Sequence, residues 1–350
     1  MKTYLITGGA GFIGSNFVNY MLSKYGNNVY IINLDALTYA GNLENLKNVE
    51  KSKNYKFIKG NICNKGTISN LFKEFEIDYV VNFAAETHVD KSIKDPEIFL
   101  KSNVEGTLNL LENARRAWLK SEVYDEYKDS CKFLQISTDE VYGSLGKSGF
   151  FTENTNLSPN SPYSSSKASA DLLVRSFFKT YKMPINITRC SNNYGPYQFP
   201  EKLIPLTIQR TLKHKKIPVY GDGLNVRDWL FVKDHCSAID TVLNNGKLGE
   251  IYNIGGNNEK TNIEIVKLII KTIQDVIGLN IGEDLIEFVS DRKGHDRRYA
   301  IDSSKIKGEL NWLPKTSFEK GIKETIEWYL NNKDWLEDIE TGKYRSYIDS

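Results

Sequence analysis

The chain is poor in the residues that build stapled or metal-centred folds. Its four cysteines, Cys63, Cys131, Cys190 and Cys236, are widely separated with no CxxC pair, and its four histidines form no ligand cluster. That spacing gives neither a disulfide framework nor a zinc site, so no metal is expected, and reduced thiols fit a cytoplasmic protein. Charge of one sign is also missing. The 46 basic and 44 acidic side chains leave a net charge of +2, too balanced for the broad positive field that nucleic-acid binding requires. No apolar run approaches the roughly 18 residues that cross a bilayer. The opening MKTYLITGG enters a strand pattern directly, without the charged and apolar regions of a signal segment. These absences lead to the expectation of a cytoplasmic protein with no nucleic-acid or membrane partner, which must meet any anion with a few local groups.

At 350 residues the chain is longer than one core usually supports, so a large domain with a smaller companion is expected. Apolar runs of strand length occur at 4–7 (YLIT), 29–34 (VYIINL), 79–85 (YVVNFAA), 133–137 (FLQIS) and 185–190 (INITRC). They alternate with helical patterns such as 13–25, 96–119 and 163–181, and the runs are continuous because both faces of the sheet are to be covered. This pattern predicts an α/β fold, a Rossmann-type doubly wound parallel sheet followed by a smaller mixed α/β substrate domain. The cofactor domain is expected over 1–195 with a returning segment near 228–255, and residues 196–350 mainly form the second domain. In that half the rhythm breaks at GDG (221–223) and GGNN (255–258), with helical patterns near 262–277 and 318–331.

Between the first strand and first helix, TGGAGFIG sets Gly8, Gly11 and Gly14 in a GxxGxxG spacing. Glycines there let the chain turn tightly and approach a pyrophosphate, while the helix start offers N–H groups and a positive dipole. Glycine-rich turns also occur for structural reasons alone. Asp35 adds to the cofactor reading, because it closes the second strand, where a carboxylate can accept hydrogen bonds from ribose hydroxyls and repel a 2'-phosphate. NAD is therefore favoured over NADP. Asn61 and Ile62, after the strand YKFIKG, suit the flank of an adenine, or an ordinary loop end.

Further on, YSSSK puts Tyr163 and Lys167 one turn apart on the same face of a helix. A cation beside a phenol favours phenolate, so this pair predicts a tyrosine pKa drawn down toward working pH, although a surface tyrosine lying on a lysine stem has the same spacing. In FLQISTDEVYG an apolar strand ends abruptly in Thr138, Asp139 and Glu140.

The glycine loop, the strand-end Thr138 and the YxxxK pair together resemble the extended short-chain dehydrogenase/reductase family. That resemblance implies that Thr138 holds the oxygen being oxidised, Tyr163 exchanges its proton, and Lys167 holds the nicotinamide ribose. Stretches outside this core narrow the likeness: LTYAGNLENL, AAETHVDKSI, STDEVYG, PYSSSKASAD, RCSNNYGPYQFPEKLIP, RDWLFVKDH and DRKGHDRRYAID are similar, nearly end to end, to the family's dTDP-glucose 4,6-dehydratase branch. Epimerases of the same family share the loop and YxxxK, but do not typically carry Thr-Asp-Glu.

The branch implies a hydro-lyase with recycled NAD. The sugar is oxidised at C4, water is eliminated across C5 and C6, and hydride returns to C6 to give dTDP-4-keto-6-deoxyglucose. Glu140 would be the base at C5 and Asp139 the acid at the C6 hydroxyl; the pair shares its titration. Phe12, Ile13, Ala84, Ala85 and Asn193 join the cofactor set by the same likeness. Thr87, His88, Asn192, Lys202, Leu203, Arg227, Asn262, Arg292 and His295 join the substrate set. Lys293 stands where the branch usually has proline, which loosens that turn and adds a charge near the nucleotide. The helix from about 105 to 119, carrying Leu108, Leu111, Ala114 and Trp118, and the Tyr163 helix are implied to form a four-helix bundle in a homodimer.

Overall fold

The computed structural model describes residues 1–121, 123, 125–278, 281–291 and 294–345. Six strands are laid down in turn: β1 (Lys2–Thr7), β2 (Val29–Asp35), β3 (Tyr55–Lys59), β4 (Tyr79–Asn82), β5 (Lys132–Thr138) and β6 (Ile185–Cys190). After β7 (Asn192–Tyr194) and β8 (Val226–Phe231), the chain returns to the sheet with β9 (Ile251–Ile254), and β10 (Glu259–Thr261) follows. Among the described residues the main sheet has seven strands in the order β9-β6-β5-β4-β1-β2-β3, and every pairing in it is parallel. The order steps outward in both directions from β1 and β4, the switch point at which a doubly wound sheet opens a crevice.

Successive side chains of a strand face opposite sides, and here both sides are apolar. Leu5, Ile32, Val80 and Phe133 pack with α2 (Lys65–Glu74), α3 (Gly106–Trp118) and α4 (Pro162–Tyr181). Tyr4, Ile6, Ile31, Val81 and Leu134 pack on the other side, against Phe17, Val18 and Met21 of α1 (Phe12–Tyr25) and against Ala238, Ile239 and Val242, on a helix that follows β8. Beneath the strand ends a buried polar row crosses the sheet: the Thr7 hydroxyl donates to Asn82 Oδ1 at 2.6 Å, and Asn82 Nδ2 donates to Gln135 Oε1 at 2.9 Å. With every partner satisfied, such a row fixes register instead of weakening the core.

Later helices include α5 (Leu203–Leu212), α6 (Val232–Asn245), α7 (Asn262–Ile277), α8 (Phe318–Asn331) and α9 (Lys333–Glu340). Of these, α6 packs on the main sheet, while α5, α7, α8 and α9 enclose a second core around Ile208, Trp229, Ile269, Ile326 and Trp335, and β8 joins β7 in parallel and β10 in antiparallel fashion.

Local sequence explains the site-bearing helix. Ser161 and Ser164 cap α4 reciprocally, at 3.1 and 3.0 Å, with Pro162 in the first position. The helix expected over 96–119 runs unbroken from Pro96 to Trp118, with a change of pitch inside it. Pro96–Phe99 is α-helical, Leu100–Glu105 widens into a π-turn, and α3 begins only at Gly106. The wide turn brings Asn103 against the loop after β4, where its side chain holds both the N–H (2.8 Å) and the carbonyl (3.0 Å) of Glu86 and donates to Ser166 at 2.8 Å.

Helix α4 is fixed to β6 by a buried ion pair, Arg189 Nε to Asp171 Oδ2 at 2.8 Å, with Tyr142 receiving a second guanidinium bond at 3.0 Å. Removing one member strands the other charge, so Asp171→Ala is expected to lower unfolding stability in urea by about 3–5 kcal/mol.

Candidate active site

The loop between β1 and α1 is shaped by what its glycines cannot carry. Gly8 has φ 71°, and a Cβ on it would lie 2.7 Å from the Ala84 nitrogen; a Cβ on Gly14 would lie 2.3 Å from the Gly8 carbonyl oxygen. Gly11 differs, since its Cβ would meet only the Gly8 carbonyl at 3.3 Å, so its bareness keeps the cleft side of the loop open. Gly9, which the three-glycine spacing passes over, is equally constrained: a Cβ there would strike Asn33 Oδ1 at 2.2 Å. The GG doublet was the available signal.

Helix α1 has no side-chain cap and no acid in its first turn. Its free N–H groups and dipole therefore face the cleft unopposed, which fits the pyrophosphate of a dinucleotide. Asp35 receives the Ala10 N–H at 2.9 Å on one oxygen and the Leu37 N–H at 2.8 Å on the other. Burial pushes its pKa up and these two bonds pull it down. The carboxylate is thus held beside the loop, in a geometry that fits a ribose diol.

One cleft gathers Gly8, Gly11, Phe12, Ile13, Gly14, Asp35, Asn61, Ile62, Ala84, Ala85 and Asn193 with Thr138, Asp139, Glu140, Tyr163 and Lys167; Thr87, Asn192 and Lys202 also line it. These come from six strand ends and the Tyr163 helix. Sequence reasoning did not single out Tyr39, Gln198, Phe199 or Glu201, which stand in the same wall. Tyr39 and Glu201 lie in quoted motifs, but only folding shows that they meet, with the Tyr39 hydroxyl donating to Glu201 Oε1 at 3.0 Å.

At the end of β5 the chain turns into a short 3-10 segment, Asp139–Tyr142, whose cap is Thr138. Thr138 Oγ1 accepts the Glu140 N–H at 3.2 Å and donates to Asp139 Oδ1 at 3.3 Å, while Asp139 Oδ2 is buried without a hydrogen-bond partner. Burial, with the Glu140 and Asp228 carboxylates beside it, raises the Asp139 pKa well above the usual range. Both effects favour the protonated carboxyl of Asp139 over the carboxylate. Glu140 is half-buried.

The Tyr163–Lys167 expectation needs correction. Lys167 Nζ donates to the Ile136 carbonyl at 2.7 Å, and burial lowers the pKa of Lys167. Burial likewise raises the Tyr163 phenol well above its ordinary value, Glu140, Cys190 and Asp139 add to the rise, and a hydrogen bond with Thr138 opposes it. Same-face spacing placed the two residues together, but the ammonium is pulled toward the strand and does not draw the phenol down.

Five expected substrate residues stand outside the cleft lining among the described residues. His88 caps the helix Val89–Lys94 and places Nε2 3.4 Å from Glu201. Leu203 and Asn262 begin α5 and α7. Arg227 donates to the Asp296 carbonyl at 2.9 Å and lies 4.2 Å over the Tyr299 ring, close enough for its charge to act on Asp139. His295 Nδ1 lies 2.6 Å from Asp291. Arg292 and Lys293 are outside the described residues.

A switch-point cleft with a bare glycine loop, a strand-end Thr-Asp-Glu and a helical YxxxK defines a nucleotide-sugar dehydratase of the short-chain dehydrogenase type. The chain belongs to the family described as GDP-mannose 4,6 dehydratase, whose profile matches residues 5–325. Within it the chain belongs with the dTDP-glucose 4,6-dehydratases. It is 52% identical to that of Xanthomonas campestris pv. campestris over 348 residues, 99% of this chain and 98% of the relative. It is also similar to the crystal structure of dTDP-glucose 4,6-dehydratase from Bacillus anthracis in complex with NAD, with TM-score 0.85, 52% identity and coverage of 97% of this chain and 100% of that one. The Streptomyces venezuelae dTDP-glucose 4,6-dehydratase, solved with NAD and a further ligand, matches with TM-score 0.87 at 44% identity, covering 96% of this chain and 99% of that one.

Because a Gly14 side chain would collide with backbone, Gly14→Ala is expected to weaken NAD binding by at least about tenfold, as read by calorimetric titration.

Proposed function

We propose that the protein converts dTDP-glucose to dTDP-4-keto-6-deoxyglucose and water, with NAD recycled in each turnover. The observation that carries this reading is Asp139, buried with Oδ2 lacking a hydrogen-bond partner and its pKa raised by burial, beside Glu140 in the same cleft as Tyr163 and the glycine loop. A site that only oxidised or epimerised C4 has no use for a second, protonated acid at a strand end.

When bound, NAD supplies the acceptor for hydride from C4 and the donor that returns hydride to C6. Gly8, Gly11, Gly14 and the start of α1 bind its pyrophosphate, and Asp35 orients its adenosine ribose. Tyr163, whose raised phenol pKa the positive charge of a bound nicotinamide would bring back down, takes the proton of the C4 hydroxyl, which Thr138 holds. Ketone formation at C4 acidifies the C5 hydrogen; Glu140 removes it while Asp139 protonates the departing C6 hydroxyl, and C5 is then reprotonated. A carboxyl with a raised pKa keeps this proton to higher pH than a free carboxyl does, and its service as an acid is lost as pH rises through the raised value. Residues 1–195 with the returning strand bind the cofactor, and residues 196–350 mainly the nucleotide, with Lys202 and Arg227 among its cations.

The sequence of steps separates the roles. Incubation with dTDP-glucose should give a product lighter by one water in mass spectrometry, with no net consumption of NAD; an unchanged sugar nucleotide would refute the function. Glu140→Gln should oxidise C4 and then stall, so that the absorbance of NADH accumulates, whereas Tyr163→Phe should lower single-turnover NAD reduction by about 100-fold or more.

The assembly is a homodimer in the cytoplasm. Leu108 on α3 and Leu172 on the adjacent α4 are exposed, the described cysteines are free thiols, and no helix among the described residues is long and apolar enough to cross a membrane. A second copy of this helix pair would cover those leucines. Leu172→Arg is expected to shift sedimentation from dimer toward monomer, and wild-type protein that sediments as a monomer at micromolar concentration would count against the interface.

A further inference from the structure

The glycine loop is braced from the far end of the chain. Trp335, on α9, donates its indole N–H to Asn45 Oδ1 at 2.8 Å, and both side chains are buried. An indole can only donate, so this bond fixes which way the Asn45 amide points. Its NH₂ must then face Ala10, and Asn45 Nδ2 donates to the Ala10 carbonyl at 2.9 Å. The Ala10 N–H in turn binds Asp35. Ala10 of the phosphate-binding loop is thereby held through both its N–H and its carbonyl, by the ribose carboxylate and by a relay whose members Asn45 and Trp335 lie 290 residues apart in sequence. The indole is itself oriented by edge-on contacts with Trp328, Tyr329 and Tyr197, centroids 5.0, 6.1 and 6.3 Å away. A second tie lies close by, where the Tyr344 hydroxyl donates at 2.7 Å to the carbonyl of Tyr39, a residue of the cleft wall.

We propose that Trp335 is a positioning residue for the dinucleotide. Through Asn45 it holds the Ala10 peptide, and with Tyr344 it makes the segment 333–345 a clasp that slows release of the cofactor. This rests on the reading of the glycine loop as the NAD site. It matters because a reaction that stores hydride on its cofactor and then returns it fails whenever the cofactor departs between those steps.

The test uses full-length Trp335→Phe, which keeps an aromatic ring in the cluster while removing the N–H together with part of the indole, alongside Asn45→Ala and the double variant. The measurements are the rate of NAD release after dilution into cofactor-free buffer, the fraction of turnovers in which NADH escapes, and the thermal midpoint. Trp335→Phe is expected to release NAD about tenfold faster, the scale of one lost buried hydrogen bond, and to leak NADH during turnover. If the relay runs through Asn45, the double variant releases NAD no faster than Asn45→Ala alone. Unchanged release in Trp335→Phe, with or without a lower thermal midpoint, overturns the proposal, as do additive effects in the double variant. Wild-type protein that binds no NAD overturns this proposal and the cofactor reading together; wild type that retains NAD, with variants that retain it equally, overturns this one alone.

Discussion

Parallel pairing is the constraint on which the rest depends. Because every strand of the main sheet runs the same way, their carboxyl ends emerge at one edge, and register pairs Thr7 with Leu34 and Asn82, and Thr138 with Cys190. Residues far apart in sequence are therefore delivered to one crevice without any loop having to carry them there. The same edge is where peptide carbonyls and helix N-termini converge and water is scarce. Groups placed there have their pKa values moved by burial, upward for Asp139 and Tyr163 and downward for Lys167.

That environment separates two kinds of information in the sequence. Continuous apolar runs, the Ser-Pro helix start and the glycine spacing report local geometry, and β1, β2, β5, β6, α1 and α4 follow from them to within a residue or two. Gly8, Gly11, Gly14 and Asp35 of the cleft wall stand out for the same reason, whereas Phe12, Ile13, Ala84, Ala85 and Asn193 come only from the family likeness. Glu201 and Tyr39 were not legible as partners, because their meeting depends on a long-range closure that no local pattern encodes. Nor was the direction of the Tyr163 pKa shift, because spacing predicts proximity and says nothing of desolvation or of a carbonyl competing for the lysine.

The second half of the chain was less readable on physical grounds. Its elements alternate between completing the main sheet, as β9 does, and building a separate core around Trp229 and Ile269, so no single period persists. Arg227 illustrates the consequence. It looks like a nucleotide-facing cation in sequence, yet much of its hydrogen bonding goes to the backbone of 226 and 296–297, so the same side chain also braces the edge of the site.

The π-turn at Leu100–Glu105 has one further implication. Each residue of a helix advances its direction by about 100°, so a single deletion in this stretch would swing Asn103 away from Glu86 and Ser166 while leaving composition almost untouched. Here the exact count of residues carries functional information: the segment is a spacer whose length is part of the site, and tolerance to substitution along it need not extend to tolerance of a change in length.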